Sequence, residues 1–465
     1  MAFTSYDFLL FFFIVFVLYW TVRERRWQNL LLLAAGYYFY GSLQVWYAVL
    51  LGASTLADFA LARGMAFQPE RRRSFLWLSL FLNLGVLAFF KYYNFFADDV
   101  IAFLTALGVE PDLFLASILL PAGLSFFTLK KLGYMLDVSR GTLKPTHSLV
   151  DFALYVSFFP QIVAGPIDRP QNLLPQFEAA RRWKTENLAQ AFPLILMGFF
   201  KKLVVANSVQ ILVDRVFGFA QPSGLLLLSG ALGYTLQILA DFSAYTDLSR
   251  GIAFLLGFNT VENFRQPYLS LTPTDFWNRW HISLSTWLRD YVFFPIRRAL
   301  LRFKLNEKLA MSIPPLATMF VSGLWHGAGL NFVVWGLYYG ALIAAYQLIG
   351  IRGDWKPASK ITTFFAWLAM FAFIVFGWMM FRAPSLDWLV NIFIHSPFIP
   401  SRSEFVLALI TFTAALAYSI PLLVNHLIDQ HAKGTWLQAA FYAIAAALIV
   451  IYVNSTNSDF IYFQF

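Results

Sequence analysis

The chain has 465 residues, of which 59% are hydrophobic and 19% aromatic, while only 13% carry charge. Soluble domains carry about a quarter charged residues, so an ordinary soluble fold is excluded. A net charge of +9 would elsewhere suggest nucleic acid. Here, with apolar runs from end to end, it reads as Lys and Arg gathered on the loops of one membrane face, and no nucleic-acid partner is expected. Cysteine is absent, which excludes disulfides, thiolate nucleophiles and cysteine-ligated metals.

In chain order, the first 20 residues form an apolar run without a basic leader or small-residue cleavage site, followed by Arg23, Arg25 and Arg26. They read as a retained membrane helix with the N-terminus extracytoplasmic and the arginines in the cytoplasm. Apolar pieces over Asn29–Tyr40 and Val45–Leu61 go out and return to a second basic loop, Arg63–Arg73. Ser74–Phe90 then runs outward to Asp98 and Asp99. Further apolar segments lie near Leu113–Leu136, Leu149–Ala164, Leu188–Val205, Leu225–Ala240, Ala310–Leu324, Phe332–Leu348, Ile361–Phe381, Phe405–Val424 and Trp436–Val453. The pattern predicts an all-α, polytopic membrane protein, one domain over 1–465 with about ten to twelve membrane helices. Leu149–Ala164 is short enough to be re-entrant or buried against protein. Only 265–309 breaks the pattern, mixing charge, tryptophan, threonine and proline, and is placed at the cytoplasmic interface. No internal repeat of the transporter kind is visible.

Phe276–Tyr291 reads FWNRWHISLSTWLRDY. At helical spacing Trp277, Trp280, Leu284, Trp287 and Tyr291 form one stripe, with Arg279, Ser283, Ser285, Arg289 and Asp290 off it. This predicts an amphipathic interfacial helix, tryptophans at headgroup depth and arginines reaching outward. His281 is left over by that reading; it is either functional or a hydrogen-bonded structural histidine. The stretch Val321–Gly329, VSGLWHGAG, places His326 between two apolar segments. Ionisable groups at membrane depth are costly and face a cavity or a partner, and Gly323, Gly327 and Gly329 admit close approach of a substrate or second helix. Residue physics leaves His326 open between a general base and a core histidine. Imidazole titrates near neutrality, and burial keeps it neutral as a base requires.

Asp241 and Asp247, with Ser243, Tyr245 and Arg250 nearby, read as a buried ion-pair network, with a tunnel-wall role as the alternative. Lys201 and Lys202 read as a cytoplasmic helix end, with a donor-phosphate role as the alternative, and His147, His395, His426 and His431 as structural. No zinc spacing, nucleotide loop or serine–histidine–acid pattern occurs, so neither a metal nor a bound cofactor is expected. The tail Phe460–Phe465, FIYFQF, follows a polar break at Asn454–Asp459 and reads as an aromatic interface anchor.

Together, FWNRWHISLSTWLRDY and GLWHGA resemble the signature of the membrane-bound O-acyltransferase superfamily, nearest its bacterial branch containing the membrane subunit of alginate O-acetylation. FFPQIVAGPIDRP at Phe158–Pro170, GFFKKLVVAN at Gly198–Asn207, DFSAYTDLSRGIAFLLGFN at Asp241–Asn259 and NFRQPYLS at Asn263–Ser270 match in order, over most of the chain. The resemblance implies a helical bundle around a central tunnel. In it His326 matches the essential intramembrane histidine, and His281, 45 positions earlier, the second, cytoplasm-facing one. Trp277, Arg279, Trp280, Trp325 and Asp290 become donor or tunnel residues. The implied reaction moves an acyl group, acetyl first of all, from a cytoplasmic thioester to an exported or cell-surface polysaccharide. Acetyl-CoA or a similar thioester is then a co-substrate, the setting a bacterial inner membrane with its lipid, and an extracytoplasmic acyltransferase the partner.

The terminal hexapeptide is similar to the end of the small partner protein in lipoteichoic acid D-alanylation, which implies Tyr462 as an acyl relay activated by a neighbouring base. After Arg289-Asp290 the chain departs from alginate-type relatives. It reads Phe294–Leu300, FPIRRAL, where they carry a glycine pair and an asparagine–arginine loop, and this leaves the acceptor open. D-alanyl transfer to a teichoic acid is the alternative within enzymes. A polysaccharide or acyl transporter with His326 as proton relay, or a noncatalytic scaffold, are the alternatives outside them.

Overall fold

The computed structural model describes residues 1–106, 120–303, 306–453 and 460; Asn454–Asp459 and the tail that includes Tyr462 lie outside the described residues. Among the described residues the regular structure is helical, with no strand. Six helices are long and apolar enough to cross a membrane: Val45–Phe67, Pro69–Tyr93, Thr185–Phe217, Gly224–Leu255, Lys360–Arg382 and Arg402–His431. Shorter apolar helices cover Tyr6–Thr21, Leu386–His395 and Trp436–Tyr452. Many of their Leu, Ile and Phe side chains are exposed, which is stable only against hydrocarbon. The chain is a multi-pass membrane protein.

Helix starts follow local chemistry. Ser5, Ser148, Thr272, Ser359, Ser385 and Ser401 each accept a backbone N–H of the first turn, and Ser401 forms a reciprocal capping box with Glu404. These caps satisfy donors that no helical carbonyl can reach.

The chain divides into two compact units, Met1–Phe192 with Leu248–Glu262 and Pro193–Asp247 with the remainder. The first contains α1 (Tyr6–Thr21), α2 (Arg25–Gly41), α3 (Val45–Phe67), α4 (Arg72–Ala106), α5 (Leu124–Arg140), α6 (Leu149–Ser157) and α7 (Pro170–Glu178). α6 has nine residues, about 14 Å of helix, too short to span, and 151–164 is buried throughout. Of the two expectations for this short piece, re-entrant or buried against protein, the burial matches the second. Its Asp151 accepts from Asn29 at 2.7 Å, and the Arg181 guanidinium donates to the Tyr19 hydroxyl at 2.7 Å.

The next helix, α8 (Thr185–Phe199), continues through a π-helical turn, Phe200–Ala206, into α9 (Asn207–Phe217), and α10 (Gly224–Leu255) follows. Beyond them come α11 (Pro273–Arg279), α12 (Ile282–Leu288), α13 (Phe294–Arg302), α14 (Glu307–His326), α15 (Leu330–Leu348), α16 (Lys360–Arg382), α17 (Leu386–His395), α18 (Arg402–His431) and α19 (Trp436–Tyr452). The core of the second unit is aromatic, with Trp280, Trp335, Trp378, Tyr339 and Phe276 buried together.

Two expectations are corrected here. Lys201 and Lys202 do not mark a helix end. They sit in the π-turn and pair with Asp247 at 2.6 Å and Asp241 at 2.7 Å, the second pair almost wholly buried, because a charge at that depth needs a partner. Nor is Phe276–Tyr291 one interfacial helix. The chain breaks at His281, whose φ is +43°. Trp277, Trp280 and Trp287 are buried rather than at headgroup depth: once the stripe is cut in two, each half turns its rings into the protein.

α14 and α15 form an antiparallel hairpin whose backbones touch. A Cβ on Gly336 would overlap the Met319 carbonyl oxygen, and one on Gly323 the Phe332 carbonyl oxygen. We expect Gly336→Val to lower the unfolding midpoint of the detergent-solubilised protein by the equivalent of about 1–3 kcal/mol or more. Gly85→Ala on α4, where an added methyl meets open space, is expected to be neutral or mildly stabilising.

Candidate functional site

His326 is the last residue of α14, at the tip of that hairpin, and only 7% exposed. Rings surround it: the centroids of Trp325, Trp335 and Phe381 lie 4.9, 5.1 and 5.2 Å away, all near edge-on. The close helix pairing fixes the tip, and the aromatic wall keeps bulk water from the imidazole.

His281 is fully buried between α11 and α12. Its left-handed backbone, uncommon for a residue with a side chain, is held by Asn263. The Asn263 carbonyl accepts from the Ile282 N–H at 3.0 Å and its Oδ1 from the Ser283 N–H at 3.1 Å. The Arg265 N–H donates to the Arg279 carbonyl at 2.9 Å, closing the same loop from the other side. A strained residue over-determined by its surroundings is a common feature of functional sites. The ring packs at 4.7 Å from Phe242 on α10 and 6.0 Å from Trp325. Trp325 therefore stands between the two imidazoles and touches both. Burial drives the His281 pKa from 6.5 down to about 3, so this ring is neutral across physiological pH.

A cavity of about 290 Å³ opens beside these helices. Its lining includes the apolar Trp277, Leu284 and Leu288, the hydroxyl residue Ser322, and the cationic Arg289 and Arg297. Arg289 is half exposed and Arg297 exposed. Ser322 is buried at 1% exposure and lies four residues, one helical turn, before His326. The cavity thus combines exposed guanidinium groups with apolar side chains, and one of its buried lining residues, Ser322, is one helical turn from His326.

The structure brings His281, His326, Trp277, Trp280 and Trp325 into one buried region. Trp280 packs on Trp378 at 4.6 Å and Phe264 at 4.9 Å. Arg279 is turned away into an i,i+4 ion pair with Asp275 at 2.7 Å, and Asp290 pairs with Arg289 at 3.2 Å in a half-exposed position. Sequence reasoning did not single out Asn263, Phe242, Ser322 or Arg297. Ser322 had a signal, its helical spacing from His326; the others join the site only through tertiary packing. The described residues contain no cluster of histidine and carboxylate side chains able to hold a metal.

A buried imidazole at a helix-hairpin tip, beside a cavity lined by both cationic and apolar side chains, suits acyl transfer inside a membrane. Residues 74–386 match the description MBOAT, membrane-bound O-acyltransferase family. The chain is 36% identical over 392 residues to a probable alginate O-acetylase of Pseudomonas aeruginosa, covering 83% of this chain and 73% of that one. It is 30% identical over 403 residues to a peptidoglycan O-acetyltransferase of Helicobacter pylori, covering 80% and 74%. A teichoic acid D-alanyltransferase of Bacillus subtilis is 30% identical over 272 residues, 56% of this chain and 68% of that protein. The chain belongs to the membrane-bound O-acyltransferase family and is an O-acyltransferase.

Asn263→Ala removes the Oδ1 acceptor and leaves the Ser283 N–H without its bond, a loss of about 1–3 kcal/mol. The expected outcome is acyl transfer lowered about tenfold or more at unchanged protein level, measured in membranes matched for protein content.

Proposed function

We propose that the protein takes an acyl group, acetyl in the first instance, from a cytoplasmic thioester such as acetyl-CoA and passes it outward for O-acylation of a cell-surface or exported polysaccharide. The observation that carries the reading is the cavity lined by Ser322, one turn from His326, and by Arg289 and Arg297. Guanidinium groups bind phosphate oxygens well, an apolar wall suits the donor's pantetheine arm, and the buried end excludes water that would hydrolyse the thioester. The three relatives supply the acceptor class, since their names specify alginate, peptidoglycan and teichoic acid. The setting in this reading is a bacterial inner membrane with the N-terminus outside, as the basic residues that follow the first apolar run suggest.

In this mechanism neutral His326 accepts the proton of the acceptor hydroxyl. The hydroxyl oxygen attacks the thioester carbonyl, the carbon–sulfur bond breaks, and the imidazolium returns the proton to the departing thiolate. Trp335 and Phe381 hold the ring in place. His281 is a positioning residue, acting through Trp325 and the loop that carries the donor wall.

The acceptor hydroxyl is either that of a sugar, reached with an extracytoplasmic acyltransferase as partner, or that of Tyr462. One observation favours the relay. Phe460, two residues earlier in the chain, is buried with its ring 5.0 Å from Tyr245 and 4.4 Å below the Lys202 ammonium. Tyr245 is one turn of α10 from Phe242, which touches His281.

His326→Ala is expected to lower transfer by about a hundredfold to ten-thousandfold at unchanged protein level, assayed with radiolabelled acetyl-CoA in proteoliposomes. Normal turnover would remove His326 from the mechanism, and movement of unmodified substrate without a covalent product would make the protein a transporter. Arg289→Glu and Arg297→Glu are expected to raise the KM for the donor with little change in kcat. Tyr462→Phe separates the acceptors: transfer persists if a sugar is the direct acceptor and stops if the tyrosine carries the group.

A further inference from the structure

The first unit holds a second cavity, of about 220 Å³, walled by α3, α4 and α5. Its polar lining consists of Ser54, Asp58, Asn83, Thr128 and Lys131; the rest is aliphatic or aromatic, including Leu50, Leu82 and Val86. The side chains of Asp58 and Lys131 are each 1% exposed. Asp58 lies 13 residues from the start and nine from the end of α3, about 20 Å and 14 Å along the axis. Since α3 is one of the helices able to span, this ion pair sits near the middle of the bilayer. α3 and α4 are mostly exposed along their spans, 28% and 17% of the apolar windows being buried, and Leu82 at the cavity is 39% exposed. The mouth therefore faces lipid.

The hydrogen bonds at the floor are uneven. Asp58 Oδ1 accepts from the Ser79 hydroxyl at 2.6 Å and Asn83 Nδ2 at 3.0 Å. Its Oδ2 accepts from Asn83 Nδ2 at 2.8 Å and faces Lys131 Nζ at 3.4 Å. The carboxylate oxygens thus share the Ser79 hydroxyl and the two Asn83 Nδ2 hydrogens, which also reach the Ser79 carbonyl. The ammonium is held more loosely. It has three hydrogens, and among the described residues its oxygen partner is this one carboxylate, at a distance beyond the roughly 2.7–2.9 Å of a good charge-assisted bond. The Phe127 ring at 5.4 Å adds a cation–π contact but takes no hydrogen. An ammonium held this loosely, at a depth where desolvation is most costly, has donor capacity directed at the cavity it lines.

The structure assigns this cavity as a binding site for an uncharged, membrane-soluble carbonyl compound, a ketone or quinone, whose oxygen accepts from Lys131. An ammonium only donates, so the atom that faces it is an acceptor. The neutral ion pair and the lipid-facing mouth require an uncharged molecule, since a charged headgroup does not reach mid-bilayer. The volume lies below the roughly 300 Å³ at which drug-sized ligands begin to fit, so one end of the molecule enters and an alkyl chain remains among the lipids. This site is independent of the acyl-transfer reaction.

The full-length protein in nanodiscs is incubated with decyl-benzoquinone, 2-dodecanone or decane, and the retained compound is measured by mass spectrometry after washing. The wild type is expected to retain at least one carbonyl probe near stoichiometrically and to release decane; which probe is kept distinguishes a quinone ring from a simple ketone. Leu82→Trp, which blocks the mouth from an exposed position, and the paired change Lys131→Met with Asp58→Asn, which removes both charges together, are each expected to lower retention about tenfold. Leu82→Trp keeps the ion pair and so tests the site even where the paired variant fails to fold. Retention of decane equal to that of the carbonyl probes, retention of neither probe, or undiminished retention by a folded Leu82→Trp protein would overturn the assignment.

Discussion

Backbone contact between α14 and α15 sets the position of His326, and with it the conditions under which that imidazole can react. Lipid tails are as apolar as leucine, so helices in a membrane gain little by burying more hydrocarbon and associate through close packing instead. Gly323 and Gly336 let carbonyl oxygens approach where a Cβ would sit, and the tip of the hairpin has little freedom left. The aromatic side chains then complete the enclosure: Trp325 and Trp335 on the two helices of the hairpin, Phe381 from α16. A ring held this way needs no reorganisation to meet an acceptor and has little water to compete with it.

The second histidine is held by a different device. Its environment is so completely desolvated that the ring stays neutral, and its backbone occupies a conformation that costs of order 1–3 kcal/mol. Asn263 offsets part of that cost by accepting two backbone N–H groups with one residue. The NFRQPYLS stretch, remote from the histidines in sequence, is therefore part of the site's framework. The buried pairs Lys202–Asp241 and Lys131–Asp58 obey the same electrostatic rule in the two units, but with different geometry. The first is short and lies under an aromatic ring; the second is long and faces a cavity.

Much of this was legible in the chain. Low charge and recurrent apolar runs imply membrane helices, because each span must satisfy its own backbone in a solvent that cannot. The shortness of Leu149–Ala164 implied re-entry or burial against protein, and α6 is buried. The two histidine motifs stood out because an ionisable group amid apolar sequence is expensive to keep, and both rings are buried. Less was legible at the cytoplasmic segment. The spacing of Trp277, Trp280, Leu284, Trp287 and Tyr291 fits a continuous helix, and nothing local announces the break at His281, since the residues that stabilise it are 18 positions upstream. Lys201 and Lys202 were misplaced for a related reason. Two adjacent lysines look like a helix end until the aspartates that neutralise them are found on another helix.

The amino-acid sequence by itself determined the solvent of this protein, the class of its secondary structure, the family it resembles and the identity of its two central histidines. Each follows from composition or from short-range order, where residue type and spacing decide the energy. Tertiary structure alone decided that the tryptophans face inward, that Trp325 separates the two imidazoles, that Asn263 supports the loop, and that Arg297 and Ser322 share one cavity with Trp277. These are contacts between residues far apart along the chain, and their energies exist only when the helices are packed.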